Sequence, residues 1–165
     1  MDLRAFSRHA HMNTMPTRKE FAVTAPQSPA MTLETARQIA QGDPLARKID
    51  FYLLELTERT ATARMTVQPE FIAPNNFMHA TISTLFADLT CGFGTAAALS
   101  VPDASFATLE IQTHHLSTVK EGTLICKATA RHVGSKTQVW DGEVMIEGSD
   151  KVITLFRCAQ VIIQA

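Results

Sequence analysis

The sequence predicts an α+β fold: a curved antiparallel β-sheet wrapped around one long central α-helix. Three observations carry that expectation. From His79 to Ala98, apolar residues recur at steps of three and four (Ile82, Leu85, Phe86, Leu89, Phe93 and Ala96), which is helical spacing. Six strand-like segments flank this stretch, two before it and four after. There are too few helical patterns for alternating βαβ units, which leaves an antiparallel sheet with one apolar face to cover. One helix does not easily cover six long strands, so a second subunit is expected, with a dimer as the minimum.

Residues 1–30 differ in character from the rest of the chain. They carry Arg4, Arg8, Arg18 and Lys19, two histidines, three prolines and little apolar periodicity. No apolar h-region is present, so the segment does not read as a secretory signal. It is expected to be a disordered leader ahead of one domain spanning residues 31–165. A short helix is predicted over Leu33–Gln41, with Thr32 as N-cap and Gly42 as its stop. Asp43-Pro44 then marks a turn or the opening of another short helical piece. Ile49 to Val67 reads as two strands with a turn at Glu58-Arg59, and Gln68–Met78, with two prolines and two asparagines, as a shaped loop. After the central helix, strands are expected at Ser105–Leu116, Thr123–His132, Lys136–Ile146 and Val152–Ile163. The segments between them read as hairpin turns, so an antiparallel meander is the expected order.

Within the helix, Asp88 stands out. Between Glu70 and Asp103 it is the one residue with a formal charge at neutral pH. The arc opposite the apolar stripe (Thr81, Thr84, Asp88, Cys91, Gly92 and Thr95) is small or weakly polar, unlike a solvent face. A carboxylate on such a helix is costly unless hydrogen-bonded or protonated. Asp88 is therefore either a buried structural carboxylate or a catalytic group at the mouth of a cleft.

The bulk numbers bound the rest. The chain has 165 residues, 45% hydrophobic, with a net charge of -1. That balance points to neither nucleic acid nor an anionic membrane surface as a partner. No apolar run approaches the roughly 20 residues that a membrane helix needs. The three cysteines, Cys91, Cys126 and Cys158, form no C-x-x-C pair. They read as free buried thiols in a reducing compartment, the cytoplasm, and no metal site is expected. His114 and His115 are adjacent on a strand and point to opposite faces, so they do not share a metal.

Taken together, the residues resemble a known family. The segment N-N-F-M-H-A-T-I-S-T-L-F-A-D-L-T-C-G-F-G, residues 75–94, is similar to the N-x(n)-H-G-G-x(6)-L-x-D signature of hotdog-fold acyl-CoA thioesterases of the phenylacetate-degradation (PaaI-like) type. I-Q-T-H-H-L-S-T-V-K-E-G and R-H-V-G-S-K-T-Q-V-W-D-G-E-V resemble two later segments of that family, in the same order. The likeness covers roughly residues 44–163. One departure is chemical: the two glycines that usually follow the His are Ala80 and Thr81 here, and the Ala80 methyl narrows the approach to the backbone.

The resemblance implies a hydrolase acting on a thioester of coenzyme A, as a dimer or a dimer of dimers. It needs no cofactor, because the coenzyme arrives with the substrate. It implies that Asp88 acts as general base or nucleophile. The N–H groups of Ala80 and Thr81, at the positive end of the helix dipole, stabilise the developing oxyanion. In dimeric members the carboxylate faces that oxyanion site across the subunit interface. His79 and Asn75, with Asn76 as substitute, are candidates to orient water or leaving group, and Thr108 matches a position near the attacking water. Arg131, His132, Gly134, Ser135 and Lys136 form the best cluster for the phosphates of coenzyme A. Each residue also has a plainer role open to it. His79 could cap the helix, Asn75 and Asn76 could shape a turn, and Thr108 could be an ordinary strand residue. Cys91 could be a small buried hydrophobe and 131–136 a polar hairpin tip. Two other functions fit the same outline: a non-catalytic acyl-CoA-binding or regulatory protein, and an acyl-thioester hydratase or dehydratase.

Overall fold

The computed structural model describes residues 31–101 and 103–164; the expected leader, residues 1–30, lies outside them. Helix α1 spans Leu33–Gly42, and its N-cap Thr32 accepts the Thr35 N–H at 3.1 Å. Asp43 ends α1 and caps α2 (Pro44–Lys48), its Oδ1 accepting the Leu45 N–H at 2.7 Å, with Pro44 in the first turn. Strands β1 (Tyr52–Leu56) and β2 (Thr60–Thr66) form a hairpin. Its turn is tied by Thr57 Oγ1, which accepts the N–H groups of Arg59 and Thr60 at 3.1 and 2.9 Å. A single 3₁₀ turn, Pro69–Phe71, leads through a shaped loop into α3 (Ala80–Ala97). Strands β3 (Ser105–His115), β4 (Thr123–Val133), β5 (Thr137–Ile146) and β6 (Val152–Ile163) complete the chain's elements.

All six strands form one antiparallel sheet in the order β1-β2-β4-β5-β6-β3. The expected meander therefore holds only for β4-β5-β6. The segment around Lys120-Glu121-Gly122 is no hairpin turn. It carries the chain from the β3 edge across to β2, where Val67 N–H bonds to the Gly122 carbonyl. Strand spacing in sequence does not reveal this, because a short crossover and a hairpin turn use the same residue types.

The helix also meets the sheet on a different face from the one its apolar stripe suggests. Its contacts with β5 and β6 run through small residues. Ala87 and Cys91 lie against Gly142, and Gly94 lies against Trp140. Ser83 accepts from Thr154, and the Thr95 carbonyl accepts from Gln138. A methyl group on Gly94 would sit 2.7 Å from the Trp140 ring, so glycine lets the helix lie this close. Ile82, Leu85 and Leu89 are only half-buried, at the margin of the core. A helix nested in a concave sheet needs narrow residues underneath, and its larger side chains splay to the flanks.

The sheet's inward row is legible from strand parity. Leu124, Cys126 and Ala128 on β4 are buried, as are Trp140, Gly142 and Val144 on β5. The edge strand β3 is the exception: it pairs with β6 alone, and Leu109 and Ile111 are 63% and 43% exposed.

Candidate active site

The expected site residues fall into three groups, set apart along α3. The first group surrounds the helix start. The loop before it is closed by an Ile72–Met78 bridge, by Ala73 N–H to the Phe77 carbonyl, and by Met78 N–H to the Val119 carbonyl. Asn75 Oδ1 accepts the Phe77 N–H at 3.2 Å, and Asn76 adopts a left-handed backbone with φ 62°. Both asparagines thus serve the turn. His79 is the N-cap residue, is exposed, and makes no capping bond with its side chain. The Ile82 N–H turns back to the His79 carbonyl, which leaves the N–H groups of Ala80 and Thr81 at the exposed tip of the helix.

The second group lies two turns further on. A cleft of about 280 Å³ runs beside the C-terminal half of α3, between Leu89 and Phe93 on the helix and Phe106 on β3. Its polar end is built by Asp88, Thr108 and Gln160. Thr108 and Gln160 are cross-strand partners, which places them side by side on the helix-facing surface. Asp88 is half-buried, and its Oδ1 has no hydrogen-bond partner among the described residues. Burial holds its carboxyl above the ordinary carboxylate range. Asp43 also lines the cleft, but its carboxylate is occupied in capping α2.

Gln160 is not among the residues expected from sequence. It is fully buried, its amide donates to Cys158 Sγ at 3.3 Å, and its Oε1 is unpaired among the described residues. A signal for it exists. Thr154, Phe156, Cys158 and Gln160 share strand parity, so a glutamine in that row faces the helix and not solvent.

The third group is the β4–β5 hairpin tip, at the opposite end of the sheet from the helix start. His132 lies over Gly134, where an added methyl group would sit 2.6 Å from Nε2, and Ser135 and Lys136 are exposed beside them. Arg131 does not join the cluster. Its guanidinium binds Asp141 at 2.6 Å, next to Arg157, which binds the same carboxylate. The hydrogen bond from Arg157, reinforced by Arg131, holds Asp141 below the usual carboxylate range.

Cys91, one turn beyond Asp88, is fully buried. Its hydrogen bond to Cys158 and its burial push the thiol well up, so no thiolate is available there at neutral pH. Burial likewise takes Cys126 to about 12. Among the described residues no group of three His, Cys, Asp or Glu side chains could hold a metal ion, and no helix is long and apolar enough to cross a membrane.

Comparison with known proteins places this geometry. Residues 75–153, from the loop asparagine through α3 into β6, match the thioesterase superfamily. A protein of Vibrio cholerae, provisionally named an esterase, is 32% identical over 104 residues, 62% of this chain and 68% of that protein. The 1,4-dihydroxy-2-naphthoyl-CoA hydrolase of Listeria monocytogenes is 26% identical over 114 residues, 69% of this chain and 91% of its own length. Among solved structures, a variant of a Pseudomonas aeruginosa thioesterase superposes with a TM-score of 0.74 at 20% identity, covering 83% of this chain and 97% of that one. The Escherichia coli PaaI protein from the phenylacetic acid degradation operon gives 0.71 at 22% identity, covering 80% and 93%. At such identities these two structures establish the fold alone. The shared sheet-and-helix architecture and the sequence match around Asp88 lead to one conclusion: this chain is a hotdog-fold member of the thioesterase superfamily.

Proposed function

We propose that the protein hydrolyses the thioester of an acyl-coenzyme A to a free acid and coenzyme A, with Asp88 as general base or nucleophile. The observation that carries this reading is the unpaired, buried Asp88 oxygen at the polar end of an otherwise apolar cleft. In the general-base form, Asp88 takes a proton from water as the water oxygen bonds to the carbonyl carbon. The carbon–sulfur bond then breaks, and the proton passes to the departing sulfur. Thr108 and Gln160 stand where that water would be oriented. The acyl group would lie along Leu89, Phe93 and Phe106. His132, Gly134, Ser135 and Lys136 are the proposed phosphate contacts. No cofactor is required.

The oxyanion donors and the base do not meet within one chain. Asp88 lies eight residues beyond Ala80, about 12 Å along the helix axis at about 1.5 Å per residue. We therefore propose that the site is completed by a second copy, paired through the open β3 edge, whose exposed Leu109 and Ile111 would be covered by that pairing. A hydratase wants a His–carboxylate pair at one carbon, and a carboxylate on the central helix fits hydrolysis better. The three free, buried thiols support a reducing compartment, the cytoplasm. One specific feature favours a non-catalytic acyl-CoA-binding role instead: Ala80 and Thr81 stand where the family usually has two glycines.

Complementation tests the composite site. Ala80→Pro removes one oxyanion donor at a helix position that tolerates proline, and His79 already has the extended backbone (φ -54°, ψ 129°) that a following proline requires. Ala80→Pro and Asp88→Asn should each abolish release of free thiol from acyl-CoAs. Co-expressed, the two chains should recover part of the activity, because each mixed dimer holds one intact site. Failure to recover, with mixed dimers formed, would place the whole site in one chain. Binding of acyl-CoA without turnover in the unaltered protein would establish the binding module.

A further inference from the structure

His115, the last residue of β3, lies outside both the apolar cleft and the hairpin tip. Its ring lies against three hydroxyl groups from two other elements. Nδ1 is 3.4 Å from Ser83 Oγ and 3.3 Å from Thr154 Oγ1, and Nε2 is 3.5 Å from Thr84 Oγ1. Ser83 and Thr154 are each 1% exposed, whereas Thr84 is half-buried and the His115 ring closes the cluster from the solvent side.

Each hydroxyl has one proton, and each spends it away from the ring. Ser83 donates to the Ala80 carbonyl at 2.9 Å, Thr84 donates to the same carbonyl at 3.4 Å, and Thr154 donates to Ser83 Oγ at 2.9 Å. Ser83 and Thr154 therefore turn lone pairs toward Nδ1. In its Nδ1–H tautomer the ring donates to these two oxygens, and Nε2 has no second N–H for Thr84. An N–H on a hydroxyl oxygen holds that hydroxyl's proton on its existing acceptor and strengthens the bond beyond it.

The acceptor at the end of this chain is the Ala80 carbonyl. That carbonyl belongs to the same peptide unit as the Thr81 N–H, so hydrogen bonds on its oxygen make that N–H a stronger donor. We propose that His115 is a positioning residue for hydrolysis: through Ser83, directly and by way of Thr154, it polarises the Ala80–Thr81 peptide, whose N–H meets the thioester oxygen. This rests on the assignment of Ala80 and Thr81 as oxyanion donors. It accounts for Ser83 and Thr84 both back-bonding to one carbonyl with a histidine from a distant strand across them.

The test has two readouts. The Thr81 amide ¹⁵N resonance reports hydrogen bonding at its own peptide's carbonyl without any substrate, and steady-state kinetics reports the consequence. His115→Phe should shift that resonance and lower kcat about five- to tenfold, with KM unchanged, the size of one lost hydrogen bond. His115→Gln, which restores a donor, should recover part of both. In a Ser83→Ala, Thr84→Val background, His115→Phe should change neither, because the relay is already cut. Equal effects of His115→Phe in both backgrounds, or a rise in KM with the Thr81 resonance unmoved, would overturn the relay. A shifted resonance with unaltered kcat would overturn its catalytic role together with the oxyanion assignment, while the relay itself would stand.

Discussion

Asp88→Asn should make the protein inactive and more stable at once. The substitution keeps the side chain's shape and removes its charge. Loss of a general base costs about 10²–10⁴ in kcat. Stability moves the other way. The unfolded chain ionises Asp88 near 3.8, whereas burial in the fold raises its pKa. As pH rises through the raised value, the fold must carry a charge that it solvates poorly, so folding stability falls there. The Asn variant escapes that cost at neutral pH and loses its advantage below the ordinary carboxylate range, where Asp88 is protonated in both states. Because the residue is only half-buried, the gain belongs at the low end for an unsatisfied buried acceptor, about 1 kcal/mol, or about 2–4 °C in Tm. Thermal melts of both proteins from pH 3 to 8, with thiol-release assays on an acyl-CoA panel, read the two effects together. A variant that is inactive and also less stable at neutral pH would refute the reasoning, since Asp88 would then be a satisfied structural carboxylate.

Four other outcomes follow from the geometry. Gln160→Met keeps the volume of a fully buried side chain and removes its unpaired oxygen. It should lower kcat/KM about five- to tenfold without lowering Tm, and a fall in Tm with unaltered kinetics would make Gln160 structural. Gly94→Ala should lower Tm despite alanine's helix propensity, because the new methyl meets Trp140 at 2.7 Å. Overpacking against a rigid ring, at the upper end of about 1–3 kcal/mol, less about 1 kcal/mol of helix preference, leaves a net loss of up to about 2 kcal/mol, read by calorimetry. Lys136→Ala should raise KM for acyl-CoA about two- to fivefold, an effect that fades with added salt. Arg131→Ala should leave KM unchanged, since its guanidinium is already bound to Asp141.

Much of the fold is legible in the sequence alone. Helical spacing marks α3 to within two residues at each end, since apolar periodicity over five turns is a strong signal. Thr32 reads correctly as the N-cap of α1 and Asp43-Pro44 as the opening of a second helical piece, because capping is local chemistry between neighbours; Gly42, the expected stop, is instead the last residue of α1. The lone charge in a long neutral stretch singles out Asp88, and the match to the thioesterase superfamily covers the same residues.

The order of strands, the face of α3 that meets the sheet, and the neighbours of each site residue are decided only by the tertiary structure. Gln160 and Thr108 are far apart in sequence and adjacent in space because β3 crosses to the β6 edge. Arg131 and Lys136 look alike in a string of letters, yet Arg131 is held by an aspartate on the next strand. His115 reads as one of two adjacent strand histidines on opposite faces until Ser83, Thr84 and Thr154 are brought against it. Local pattern records which segments are helix or strand because backbone sterics and hydrogen bonding act over a few residues. Which side chains share a cleft depends on contacts whose partners lie tens of residues away, and only the closed sheet supplies them.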